Sequence, residues 1–240
     1  MSQVIIMEDY LECEKYHVFL LLIFVAGFYG AYTLTVRGHV FSNAQTANLV
    51  LFGIAIADNN FSKAASIFSS MTAYFIGTML SEHLAWLFHK IHFLRWDTLL
   101  IGIDIIIITI LGLLPSYTSD IIYTSSIGFM CAMQFNTFRQ SEGIPMSTTF
   151  VTNHVRQTGS YFVRWLRKRE EKTYLIRFLK HLGMIITFIT GVIVSTILGH
   201  LFKSSAILFA NIILIILFID LLRADLIKEK DRHYQIPQGH

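Results

Sequence analysis

The chain has 240 residues, of which 54% are hydrophobic and 15% charged, with a mean hydropathy of +0.55 and a formal net charge of +3. Soluble domains carry about 25% charged residues, so this composition argues against a water-soluble fold and for one membrane bundle that uses nearly the whole chain. No nucleotide-binding loop, catalytic triad or zinc site is recognisable, so neither an enzyme nor a cofactor is expected; Cys13 and Cys131 stand too far apart in sequence for a metal or redox motif.

From the N-terminus, Glu8, Asp9, Glu12 and Glu14 make the start acidic, where a cleavable signal would be basic. The first apolar run, 17–36, has a spanning length of about 20 residues. Further runs follow at 64–88, 98–114, 121–138, 178–199 and 206–222. Each is long enough, or nearly so, to cross a hydrocarbon core of about 30 Å. Backbone polar groups cannot go unpaired in lipid, so these runs are expected to be helices. Stretches such as IIIITILGLL lack the alternation of a barrel strand.

Two semi-polar segments interrupt the apolar runs, at 38–57 and 143–166. Each opens on glycine, passes through Ser, Thr and Asn, which favour helix N-caps, and continues as a helix-like stretch. They belong to an internal repeat. Gly27-Phe28-Tyr29-Gly30-Ala31-Tyr32 matches Gly128-Phe129-Met130-Cys131-Ala132-Met133, Thr46-Ala47-Asn48-Leu49 matches Thr152-Asn153-His154-Val155, and Phe75-Ile76-Gly77 matches Ile189-Thr190-Gly191. Repeat one covers 17–114 and repeat two 121–222.

Orientation follows from Lys and Arg. If both polar segments enter and leave by the same face, 16 of the 19 basic residues fall on one side, all but Arg37, Lys63 and Lys203. That side holds both termini and is expected to be cytoplasmic, in a bacterial inner membrane. The fold expected is therefore an all-α membrane protein: six transmembrane helices plus two re-entrant half-helices in two inverted three-span repeats. Inverted repeats are a common plan of secondary transporters.

The helix after Thr46 would run about 12 residues, or about 18 Å, roughly half a bilayer. The helix after Thr152 would be slightly longer. Two half-helix N-termini would meet near the midplane and offer N–H groups and positive dipole ends to a small polar or anionic solute. Candidate solute-binding residues are Gln45, Thr46 and Asn48 from the first segment and Thr152, Asn153, His154 and Arg156 from the second, with Thr and Asn also able to cap the helices. Asp104 is the deepest acid of a continuous span, and Arg156 and Asp104 are expected to pair or to share a wet cavity; the alternative is that Arg156 reaches the cytoplasmic interface. Gln134 and Asn136 either line the pathway or bond between helices. Gly77 and Gly191 read as close-packing positions, and Asp220 with Arg223 as an interfacial ion pair. Glu82, His83, His89 and His92 read as interfacial polar residues. The basic 164–180 stretch reads as an orientation signal touching anionic lipid, not as a nucleic-acid patch.

The strings AGFYGAYTLTVRGHVFSNAQTANLVLFG and MQFNTFRQSEGIPMSTTFVTNHV resemble the YoaK-like family of multi-pass bacterial membrane proteins, over about residues 17 to 222. The resemblance implies a six-span small-molecule transporter without naming a substrate. The chain departs from the family pattern in two places. Gly30 stands where a G-x-x-D-A pattern carries an acid, and Thr46-Ala47-Asn48 stands where the family has T-G-N. Three functions remain open: a secondary transporter; a passive channel with aquaporin-like inverted half-helices, although no Asn-Pro-Ala motif is present; and a non-transporting membrane partner. A homodimer fits a bundle of this size, but no interface is specified.

Overall fold

A computed structural model describes residues 10–88, 94–232, 235 and 237. The fold is all-α apart from a two-stranded hairpin, Gln140–Ser141 against Ile144–Pro145. The helices are α1 Tyr16–Thr35, α2 Gln45–Ala57, α3 Phe61–Phe88, α4 Trp96–Leu113, α5 Asp120–Thr137, α6 Thr152–Arg167, α7 Lys172–Phe202 and α8 Ala210–Arg223. Three helical stretches are long and apolar enough to cross a membrane: Tyr16–Thr35, Trp96–Leu113 and Lys172–Lys228, the last joining α7 and α8 through a 3-10 segment at Lys203–Phe209. The six expected runs fall on α1, α3, α4, α5, α7 and α8, with 206–209 in the 3-10 segment, but α3 and α5, which carry 64–88 and 121–138, are not among the stretches apolar enough to cross.

The apolar surface points outward. On α7, Ile186, Ile189, Ile193 and Ile197 are about half exposed, and on α8 so are Ile212, Ile216 and Ile219. Spacings of three and four put each set on one face of its helix. Inside, Asn43, Asn48, Asp104, Gln134 and His154 are buried. Apolar stripes outside and polar groups within suit a lipid surround.

Four glycines set the tightest crossings. Helix α1 packs on α7, and α3 on α5. A Cβ at Gly77 would lie 2.6 Å from the Phe129 carbonyl oxygen, and one at Gly191 would meet that of Phe24. Gly27 faces Phe188 and Gly128 faces Ser70 in the same way. Both glycines read as packing positions, Gly77 and Gly191, are therefore backbone-contact positions, where a missing side chain lets helices approach. Beyond these pairs, α2 packs on α3, α6 on α7, and α4 on α8.

The two ends of the bundle are chemically distinct. At one, the chain termini meet: the Glu12 N–H donates to Glu229 Oε1 at 2.7 Å, and Lys228 Nζ lies 3.0 Å from Glu12 Oε2. Arg95, at the start of α4, is 3.0 Å from Glu229, and Glu142, after α5, accepts from the Tyr16 N–H. At the other end, Arg37 after α1 donates to the carbonyls of Ser116 and Thr118 and to Asp120. It also donates to the Ser204 hydroxyl after α7.

Helices α2 and α6 are half-length. Asn43, just before α2, bonds the Ala26 carbonyl, midway along α1. From that level α2 runs 13 residues toward the Arg37 end. Its exit is fixed by α3, in which Ser70 already lies beside Thr124 near the start of α5. Helix α6 starts three residues after Thr149, which meets Asn43 at the same level, and runs 16 residues back toward the end that holds the termini. At about 1.5 Å per residue these helices measure about 20 and 24 Å, against about 42 Å for the 28-residue α3. Both segments open on a positive-φ glycine, Gly38 at +71° just past α1 and Gly143 at +73° in the turn of the hairpin after α5, the conformation glycine adopts most cheaply.

Candidate functional site

The centre is built where the segment before α2 meets the segment before α6. The Asn43 amide nitrogen donates to Ala26 O at 3.1 Å and to Thr149 O at 2.9 Å. Ser42 donates to the Thr124 carbonyl of α5 at 3.0 Å. From the other side, Gln134 Nε2 donates to Thr148 O at 3.1 Å and, more weakly, to Leu22 O at 3.4 Å. Irregular backbone thus crosses between α1 and α5, held by side-chain amides. Gly30 makes room for it, since a Cβ there would lie 3.1 Å from both terminal atoms of the Asn43 amide.

The start of α6 is anchored by an imidazole pair. His154 Nε2 donates to Ser147 O at 2.8 Å, because a carbonyl can only accept. His154 Nδ1 is then an acceptor, and His181 Nδ1 of α7 donates to it at 2.9 Å. Both rings are fully buried, and His181 stacks on Tyr161. At the start of α2, Gln45 Nε2 donates to Ser42 O, and Asn48 Nδ2 donates to Phe41 O at 2.6 Å.

No side chain caps either half-length helix: the N-cap residues are Ala44 and Val151. The capping open to Thr46, Asn48 and Thr152 is therefore absent. Several buried polar atoms of these segments and their neighbours have no hydrogen-bond partner: Asn48 Oδ1, Gln134 Oε1, Thr148 Oγ1 and His181 Nε2. Native interiors leave few such atoms, so the crossing holds donor and acceptor capacity beyond what its own packing uses.

Gln45 and Asn48 hold the segment before α2, and Gln134 and His154 hold the segment before α6. Thr46 and Thr152 begin the same helices but are exposed. Asn153 is half-buried and accepts from Arg156 Nη2 at 2.9 Å. The expected link between Arg156 and Asp104 is not present: Arg156 is exposed on the outer side of α6, and Asp104 is wholly buried midway along α4 with both carboxyl oxygens unbonded. Two residues along a helix is a turn of about 200°, so a buried His154 forces Arg156 outward. Asn136 is not central either; it donates to Glu82 Oε2 at 3.0 Å and accepts from Arg139 near the end of α5. Asp220 does not pair with Arg223 as expected, but with His17 at 2.9 Å. His89 and His92 lie outside the described residues. Ser42, Asn43, Ser147, Thr149 and His181 are not among the residues the sequence singles out; the first four sit in aperiodic loops and His181 near the start of the apolar run 178–199, and only their Ser, Asn and His content hints at them.

A polar cavity of about 700 Å³ opens at the Arg37 end, lined by Thr35, Arg37, Tyr117, Asp120, His200 and Lys203 among others. Arg37 forms its floor, with a guanidinium 3.9 Å above the Tyr123 ring.

The sequence profile of a family described as a protein of unknown function (DUF1275) matches residues 18–219. No curated protein and no solved structure matches the chain.

Proposed function

We propose that this chain, which belongs to that family of unknown function, is a multi-pass transporter of a small polar or anionic solute in a bacterial inner membrane. The carrying observation is the Asn43 amide, which ties the segment before α2 to the segment before α6 at the middle of α1. Non-helical backbone at membrane depth is tolerated only where it is buried in protein or lines a pathway. Here it comes with two uncapped helix N-termini and unpartnered buried acceptors, a setting able to replace a solute's hydration shell.

On this reading α1, α3, α4, α5, α7 and α8 span the bilayer, and α2 and α6 are re-entrant. Exchanging the halves supports an inverted repeat: α1 on α7 becomes α5 on α3, α2 on α3 becomes α6 on α7, and α4 on α8 maps onto itself. The end that gathers the termini is the cytoplasmic one, by the distribution of Lys and Arg. The finer identification with YoaK-like proteins rests on the motifs quoted above. A cavity lined only by residues of the Arg37 end favours alternating access over a permanently open pore.

Flux into liposomes containing the purified protein tests the proposal, with urea, glycerol, glycine, sodium formate and sodium nitrate as probes. At least one should enter faster than into protein-free liposomes, with saturation, and Asn43→Ala should abolish the difference. Equal rates for all five with and without protein would refute a transporter of such solutes.

A further inference from the structure

Asp104 takes part in none of the ion pairs and hydrogen bonds found among the described residues. It lies at the midpoint of α4, is fully buried, and neither carboxyl oxygen has a hydrogen-bond partner. A second buried polar group, the Tyr29 hydroxyl of α1, is also unpartnered, on a residue with no exposed surface. Tyr29 and the buried Cys131 thiol of α5 are the titratable groups close enough to feel the Asp104 charge. Tyr74 of α3 feels Cys131 but not Asp104. Among the described residues, α3, α8 and the 203–209 segment bring no Lys, Arg, His or acid to it.

An ionised carboxylate in such surroundings costs many kcal/mol unless a cation or strong donors compensate it, and a group so placed neutralises instead. The salt bridges elsewhere show how this chain treats a buried charge it means to keep: Arg95 is set among Asp97, Asp225 and Glu229. Asp104 has nothing of the kind. A buried acid inside a membrane helix is expensive and marks a proton or ion path by default. A lone carboxyl group is also too little to hold a dehydrated metal cation, which takes several oxygen ligands.

We infer that Asp104 is the proton-carrying group of this transporter, protonated in the arrangement described and ionised only when a change of conformation opens it to water. The inference rests on the transport reading. The step balances simply: the Asp104 carboxylic acid gives its proton to water on one side, the carboxylate regains a proton from the other side, and no electron moves.

Two measurements on the full chain in lipid test it. Infrared difference spectra between the parent and Asp104→Asn at neutral pH should show a protonated-carboxyl C=O band that the variant lacks. The substitution keeps the side-chain volume and removes only the acid, so the variant should fold. Absence of the band would mean that Asp104 is ionised and would overturn the inference, whatever the protein transports. Next, an inward proton gradient should accelerate uptake of whichever probe solute passes, and Asp104→Asn should lose that acceleration while retaining solute exchange at equal pH. Uptake that still responds to the gradient in the variant would also overturn it. If no probe passes in any variant, the transport reading falls and the proton-carrying role falls with it, even with the band present.

Discussion

The two ends of the bundle hold buried arginines in opposite ways. Arg95 is surrounded by carboxylates that are themselves buried, with Asp97, Asp225 and Glu229 all at most 8% exposed. Burial works against its charge, but Asp97, Cys13, Glu229 and Asp225 outweigh burial and hold its pKa above the ordinary value. Arg37 leans instead on two carbonyls, a hydroxyl and an aspartate that is 47% exposed, beside a polar cavity of about 700 Å³. The first end is tied shut by charges that cannot be separated cheaply. The second is held by bonds that water can replace. On the proposed transport reading, this asymmetry makes the Arg37 end the side that opens to admit solute.

The largest effect should come from breaking the sealed end. Arg95→Met leaves three carboxylates buried without their cation, and loss of one partner of such a network costs about 3–5 kcal/mol. Thermal unfolding in detergent should show a large drop in midpoint. Arg37→Gln should cost on the order of 1 kcal/mol, because solvent can take over its hydrogen bonds, and a cysteine placed at Ser204 should then label faster with thiol reagents. Equal destabilisation by the two substitutions would remove the asymmetry.

The smallest effect concerns pH at the sealed end. Burial pushes the Glu142 carboxyl up, but its bonds from Lys180 and the Tyr16 N–H win and hold it below its ordinary value of 4.5. Its stabilisation is therefore present above that value and is lost as pH falls through the lower folded one. Glu12 behaves alike: burial is outweighed by Lys15 and Lys228. Glu229 runs the other way, since burial raises it despite the Glu12 N–H and Arg95, and so it subtracts stability as pH rises. Glu142→Gln should lower stability at neutral pH by at most about 1 kcal/mol and converge with the parent in acid. Parallel unfolding curves at both pH values check this.

Much of the fold is legible in the sequence because a spanning helix must be apolar and long. The half-length helices are legible too: Gly38 and Gly143 mark where the chain leaves a span, and the stretches after Thr46 and Thr152 are too short to cross. The centre is less legible. Asn43 and Thr149 meet across 106 positions in loops without periodicity, where only three-dimensional closure makes them partners. His181 sits at the start of an apolar run, just past the basic stretch, and reads as an end-of-span residue until α6 brings His154 against it. The outward position of Arg156 follows from helix register: His154 and Tyr161, seven apart and both buried, define the inner face of α6, and Arg156 lies opposite.

The most direct measurement is which side of the membrane the turns at Asn59 and Arg169 occupy. In cells carrying the protein without Cys13 and Cys131, single cysteines at Asn59, Thr118, Glu142 and Arg169 would be exposed to a membrane-impermeant thiol reagent. Half-length α2 and α6 predict that Asn59 labels from outside together with Thr118, and that Arg169 labels only after permeabilisation, together with Glu142. If Asn59 is protected like Glu142, or Arg169 labels like Thr118, the segment concerned crosses completely and the midplane site does not exist.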